Sequence, residues 1–244
     1  TQGLDHYDRI VDALCEAGIR PAVTLYHWDL PQYLADEGGW LNRDTAYRLA
    51  DYAGAVSQRL ADRVDTWITL NEPWCSAYLG YGGTEHAPGL GAGPVAFAAA
   101  HHLNLAHGLM TKAIRSQAGD RSKVAVTLNL QANRGDADAV HRLALIANRA
   151  FLDPMLRGRY PDELLADTRS ICDWDFVHDG DLALIHQPVD ALGINYYATG
   201  LVRMDDRPRL PQSTQASTFP GASDVDWLPT QGPHTDMGWN IDPE

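Results

Sequence analysis

In the stretch "WITLNEPW" (67–74), four strand-forming residues run into an amide, an acid, a chain-stopper and an indole: Asn71, Glu72, Pro73 and Trp74. Three further apolar runs end in related chemistry, at His27-Trp28-Asp29, at Asn129 and at Asn195-Tyr196-Tyr197. Amides, an imidazole, a carboxylic acid and aromatic rings suit one ligand class. Sugars carry many hydroxyls that need donors and acceptors, and flat C–H faces that pack on rings. A carboxyl desolvated among such rings holds its proton more tightly than in water, which suits a general acid. Glu72 is therefore the candidate proton donor, with Asn71 and Trp74 beside it.

Each residue also has a plainer explanation. A strand-end glutamate standing alone is commonly a cap or a surface group; the asparagine before Glu72, the proline after it and the tryptophan two on favour catalysis. His27 alone would be a structural histidine, and its neighbour Trp28 turns the balance toward a ligand contact. Asn129 fits a ligand contact and a backbone-bonded strand end equally well. Tyr196 and Tyr197 point to opposite faces of a strand, so at most one of them faces a ligand. His101, His102 and His107 share an Ala-rich helical stretch with no H-E-x-x-H spacing and no cysteine nearby. Packing explains them, and no metal is expected. The Asp-rich stretch 173–181 reads as a solvated loop with helix-start character, and Asp36-Glu37 as turn chemistry. "GLGAGP" (89–94) follows a loop rather than a strand, which makes it a poor phosphate cradle, and no cofactor is expected.

Strand-like and helical runs alternate around these residues. Strands are expected at 20–26, 64–70, 122–130 and 189–197, and helices at 4–18, 43–62, 94–116, 136–156 and 179–186. Residues 199–244 hold six prolines and no sustained period, and read as one long loop. Apolar strands alternating with helices imply a parallel sheet covered on its faces. In a (β/α) barrel the carboxyl ends of all strands converge on the site, whereas a doubly wound sheet gathers ligands only at its switch point.

The net charge of −13 argues against nucleic acid or an anionic membrane as partner. Cys15, Cys75 and Cys172 are odd in number and widely spaced, which points to a reducing compartment, the cytoplasm. No run approaches the ~18 apolar residues of a membrane span. The sequence starts at Thr1 inside a helical stretch, so the natural N-terminus is expected upstream.

Several strings, in order along nearly the whole chain, resemble family 1 glycoside hydrolases, the β-glucosidase family. They are "TLYHWDLPQYL" (24–34), "GGW" (38–40), "WITLNEPW" (67–74), "GYGGTEHAPG" (80–89), "AAHHLNLAHG" (99–108), "FLDPMLRGRYP" (151–161), "LGINYY" (192–197) and "TDMGW" (235–239). The resemblance implies a (β/α)8 TIM barrel of which this chain holds about four central units, strands three to six, with 199–244 as the long loop after the sixth. It implies that Glu72 is the general acid/base and that Asn71 binds the sugar 2-hydroxyl. His27 would bind the sugar in the cleaving subsite, with Trp28 lining it. Tyr197 would hydrogen-bond the nucleophile, and Asn195 would lie near the acid/base. Trp74, Trp239 and Asn129 would line the aglycone side. The implied reaction is retaining hydrolysis of terminal β-glucosides or short β-linked oligosaccharides, through two carboxyls about 5–5.5 Å apart. Glutamate rather than glutamine at 72 implies an O-glycosidase.

The chain departs from the family in one central respect. The nucleophile belongs to a Glu-Asn-Gly motif, and that string occurs nowhere in the 244 residues. Strands one, two, seven and eight are also missing, and Asn240 and Asp242 stand where the family more often has an acidic residue and a tyrosine. A half barrel would present open apolar parallel edges. The chain is thus expected to need the remainder of the barrel, in the same or a complementing polypeptide. The alternative is a catalytically inactive half barrel that binds sugar.

Overall fold

The computed structural model describes residues 1–205 and 217–243. Among these, the strands are β1 (Ala22–Tyr26), β2 (Thr66–Asn71), β3 (Lys123–Leu128), β4 (Ala132–Gly135), β5 (Ala191–Ile194), β6 (Thr199–Met204) and β7 (Val225–Leu228). The helices are α1 (Gln2–Glu16), α2 (Gln32–Asp36), α3 (Asp44–Leu60), α4 (Ala96–Ala118), α5 (Ala137–Ala144), α6 (Ala150–Arg157), α7 (Asp162–Thr168) and α8 (Asp181–Ile185). Strands β1, β2, β3 and β5 form a four-stranded sheet in that order, parallel throughout. Every connection within it passes through helix, as parallel pairing requires.

The helices cover this sheet through their apolar faces. On α3 the buried residues Ala46, Ala53, Val56, Ser57 and Leu60 fall on one stripe, which packs on α4. Helix α4 is buried on nearly every side, because it also meets β2, α6 and α8. Its small residues Ala96, Ala99, Ala100 and Ala106, all inaccessible or nearly so, let those neighbours close in. Gly108 is the extreme case: a Cβ there would stand 2.0 Å from the Leu184 carbonyl oxygen, so only glycine lets α8 lie so near.

The structure corrects the reading of 199–244 as one long loop. Strand β6 pairs in parallel with β4 and antiparallel with β7, which makes a second, three-stranded sheet. Little in the local sequence marks these strands: β4 is the polar run Ala-Asn-Arg-Gly and β7 is only four residues long. Their pairing is set by distant partners rather than by local alternation. Positions 206–216 and 244 of the expected loop lie outside the described residues. The expected helix over 136–156 is two helices, α5 and α6, joined by a π-helical segment at Leu145–Arg149. Among the described residues no helix is long and apolar enough to cross a membrane.

Candidate active site

Backbone irregularity turns Glu72 inward. Ile68 pairs with Ala125 and Asn71 with Thr127, so β2 takes three steps where β3 takes two. Such a bulge bends a strand and re-aims its side chains. The Glu72 amide then donates to the Thr127 carbonyl over 2.9 Å, and Glu72 itself adopts φ 46°. Trp28, past the end of neighbouring β1, has φ 81°. Two non-glycine residues in the left-handed region, beside each other at strand ends, are held there by their surroundings at an energetic cost. Pro73 and Trp74 lead into a π-helical stretch, Cys75–Gly82, whose first amide bonds back to the Glu72 carbonyl over 2.9 Å.

Glu72 is 2% exposed. Its Oε1 accepts from Asn195 Nδ2 and from the Tyr197 hydroxyl, each at 2.6 Å. Its Oε2 lies 3.3 Å from Cys75 Sγ, which donates to it. Asn195 Nδ2 also reaches Asn71 Oδ1 at 3.2 Å, and this fixes the Asn71 amide so that its Nδ2 donates to His27 Nε2 at 3.2 Å. The Trp28 indole N–H donates to the Asn71 carbonyl over 2.9 Å. One network therefore joins the ends of β1, β2 and β5. The bond to Glu72, reinforced by burial, pushes the Tyr197 phenol up to about 12.

The remaining expected residues divide. Trp239 packs on Tyr197 in a tilted ring contact, 5.2 Å between centroids and 54° between planes, and so borders the network. Asn129 touches Cys75 Sγ at 3.7 Å rather than Glu72 directly. Trp74 makes no hydrogen bond to the network among the described residues: it is buried against Tyr78 and Phe219, with its indole N–H unpartnered. Tyr197 was expected, by resemblance, on a nucleophile; here its hydroxyl meets Glu72. Tyr196 diverges from it and bonds Thr199 and the Asp242 carbonyl.

Three neighbours were not foreseen. Cys75 follows Glu72 by three positions, a helical spacing that could have signalled contact. His86 makes a tilted ring contact with Trp28 at 5.0 Å and Phe219 with Trp74 at 5.4 Å, and both come from distant loops with no local signal. Among the described residues no group of three His, Cys, Asp or Glu is arranged to hold a metal.

A second buried cluster corrects the reading of 173–181 as a solvated loop at its last residue, Asp181, which opens α8. Asp181 is 1% exposed; it takes a bidentate ion pair from Arg43, a 2.9 Å hydrogen bond from His101 Nε2 and the His178 amide at 2.9 Å. Burial alone would raise its carboxyl, but these donors together hold it well below the usual carboxylate range. His101 Nδ1 in turn meets the Tyr160 hydroxyl at 2.9 Å. This cluster ties α8 and the Tyr160 loop to α4.

The sequence profile of glycosyl hydrolase family 1 matches residues 1–244, and the chain belongs to that family. The bifunctional beta-D-glucosidase/beta-D-fucosidase of Bifidobacterium breve is 72% identical over 247 residues, covering 100% of this chain and 54% of that protein. Thermostable beta-glucosidase B of Thermobispora bispora is 49% identical over 86% of this chain and 44% of its own length. Among solved structures, the psychrophilic beta-glucosidase BglU of Micrococcus antarcticus superposes with a TM-score of 0.90 at 42% identity, covering 100% of this chain and 54% of that one. A Thermotoga maritima beta-glucosidase in complex with deoxynojirimycin gives a TM-score of 0.84 at 36% identity, over 99% of this chain and 52% of that one. The chain spans about half the length of the curated relatives it matches. Its fold is α/β, a portion of a (β/α)8 barrel.

Proposed function

We propose that the polypeptide carrying these residues is a retaining β-glycosidase acting on terminal β-glucosides, with Glu72 as its general acid/base. The observation that carries this reading is a lone carboxyl, 2% exposed, held by two 2.6 Å hydrogen bonds at converging strand ends. No Lys or Arg forms an ion pair with it among the described residues, so a purely structural salt bridge does not account for its burial. The names of the relatives, beta-glucosidases at up to 72% identity, support the same substrate class. Glu72 would protonate the glycosidic oxygen while a second carboxylate attacks the anomeric carbon, and would then take a proton from water as the glycosyl-enzyme opens. That second carboxylate comes from the remainder of the barrel, since Glu-Asn-Gly is absent from residues 1–244. Asn71 and the exposed His27 ring would hold sugar hydroxyls, and Trp28 and Trp239 would offer ring faces.

The test is Glu72→Gly in the full polypeptide. Hydrolysis of a β-glucoside with a poor leaving group should fall about 10²–10⁴-fold. Added azide should restore turnover of an activated substrate and yield a β-glycosyl azide, because azide needs no general base. Unchanged hydrolysis by Glu72→Gly would remove Glu72 from the mechanism. An inactive half barrel predicts the opposite in the unmutated protein: sugar binds and no product forms.

A further inference from the structure

Glu72 presents two unlike oxygens. Oε1 accepts the two short bonds from Asn195 and Tyr197, which fill both of its lone-pair directions. Oε2 meets, among the described residues, only the Cys75 thiol at 3.3 Å, a weak donor. A carboxylic acid carries its proton on the oxygen that donors engage least, which here is Oε2. The thiol is itself fixed. Cys75 is 6% exposed, and Asn129 Nδ2 donates to its sulfur at 3.7 Å, leaving the S–H to turn toward Oε2. Burial, and then the neighbouring carboxylate, hold this thiol well above its usual range, so it stays a protonated donor.

We propose that Cys75, steadied by Asn129, is a positioning residue for Glu72: its weak donation to Oε2 marks that oxygen as the one that gives up and takes back the catalytic proton. This rests on the reading of Glu72 as acid/base. A hydroxyl in place of the thiol would donate more strongly and favour the carboxylate, whereas an apolar side chain would withdraw the donor and favour the acid. A side chain that only filled space would not produce effects of opposite sign.

The experiment is the pH dependence of kcat/KM in the full polypeptide, on a β-glucoside with a poor leaving group, for the unmutated protein, Cys75→Ser and Cys75→Val. The basic limb should move down by about half a pH unit in Cys75→Ser and up by a similar amount in Cys75→Val. Superimposed limbs, or shifts of the same sign, overturn the proposal. Should Cys75→Val fail to fold, the near-isosteric Cys75→Ser decides by the sign of its shift alone. Glu72→Gln separates the two readings. If that variant retains hydrolysis with its basic limb in place, the assignment of Glu72 itself falls. If it loses hydrolysis while the cysteine variants leave the limb unmoved, only the role of the thiol falls.

Discussion

The Tyr197 hydroxyl donates to Oε1 of Glu72 over 2.6 Å, joining residues that stand 125 positions apart in sequence. The bond works in both directions: it braces the carboxyl, and the carboxylate opposes ionisation of the phenol, which is pushed up to about 12. Glu72→Gln replaces that charge with a neutral amide. The Tyr197 titration should then move down toward its ordinary value of 10.0, followed by NMR of tyrosine labelled at the ring carbon bearing the hydroxyl. A Tyr197 signal that titrates alike in both proteins would mean that the two groups do not share a hydrogen bond.

Asp181 should matter to folding out of proportion to its place beside a surface loop. Its side chain is 2% exposed and that of its partner Arg43 22%, so removing the acid strands a half-buried guanidinium and the His101 N–H. Asp181→Ala is expected to cost about 3 kcal/mol, toward the lower end for a broken buried pair because Arg43 keeps some water. Chemical denaturation of the two proteins measures it. A loss within the range of an exposed surface pair would show that the network carries no stability.

The buried histidines predict an acid-sensitive fold. Burial holds His107 down to about 4, and burial also brings His101 to about 4 against the opposing pull of Asp181. A histidine whose folded value lies below its unfolded 6.5 stabilises the protein while neutral. That contribution is complete above about pH 6.5 and is lost as pH falls from there through about 4. Asp181, held low, adds stability present above the usual carboxylate range and lost as pH falls further. The thermal midpoint should therefore drop between pH 6.5 and 4, and His107→Gln should flatten part of that slope. A midpoint independent of pH across this window would contradict the buried, neutral state of both rings.

Gly108→Ala tests the contact of α4 with α8. The added methyl would meet backbone, 2.0 Å from the Leu184 oxygen and 2.7 Å from the Ile185 Cα, and neither can swing aside as a side chain would. A loss of about 1–3 kcal/mol is expected, as for an overpacked core. Asp181 opens α8, so hydrogen exchange should quicken first in α8 and the adjoining part of α4. Uniform exchange throughout the fold would argue that the two helices separate without local consequence.

The parallel sheet was legible in the sequence because its strands announce themselves locally. Runs such as Val23-Thr24-Leu25-Tyr26 and Val124-Ala125-Val126 are apolar, β-rich and bounded by helical periods. Glu72 stood out for a related reason: a single acid in an otherwise neutral run cannot be mistaken for part of a solvated face. The second sheet was hidden because Ala132–Gly135 and Val225–Leu228 acquire strand character only from partners far along the chain. Asp181 was hidden by its acidic neighbours at 173, 175 and 179, which are genuinely exposed. Nothing in composition separates the one acid that turns inward to Arg43 from those that do not. The same limit applies to His86 and Phe219, whose contacts depend on where loops close.

Strands β3 and β4 are consecutive, as are β5 and β6, and both pairings run parallel, Leu128 with Ile194 before the interruption and Ala132 with Thr199 after it. The short spans between them, 129–131 and 195–198, hold Asn129, Asn195 and Tyr197. Each span is moored at both ends, like a bridge deck between two piers. A segment clamped in this way has surrendered most of its backbone freedom when the chain folds, so little remains to be lost when a ligand arrives. Side chains on such a span can be exchanged without the loop wandering. The architecture thus separates what the site contains from how firmly it is held, and substitutions at 129, 195 and 197 should alter chemistry while leaving the frame in place.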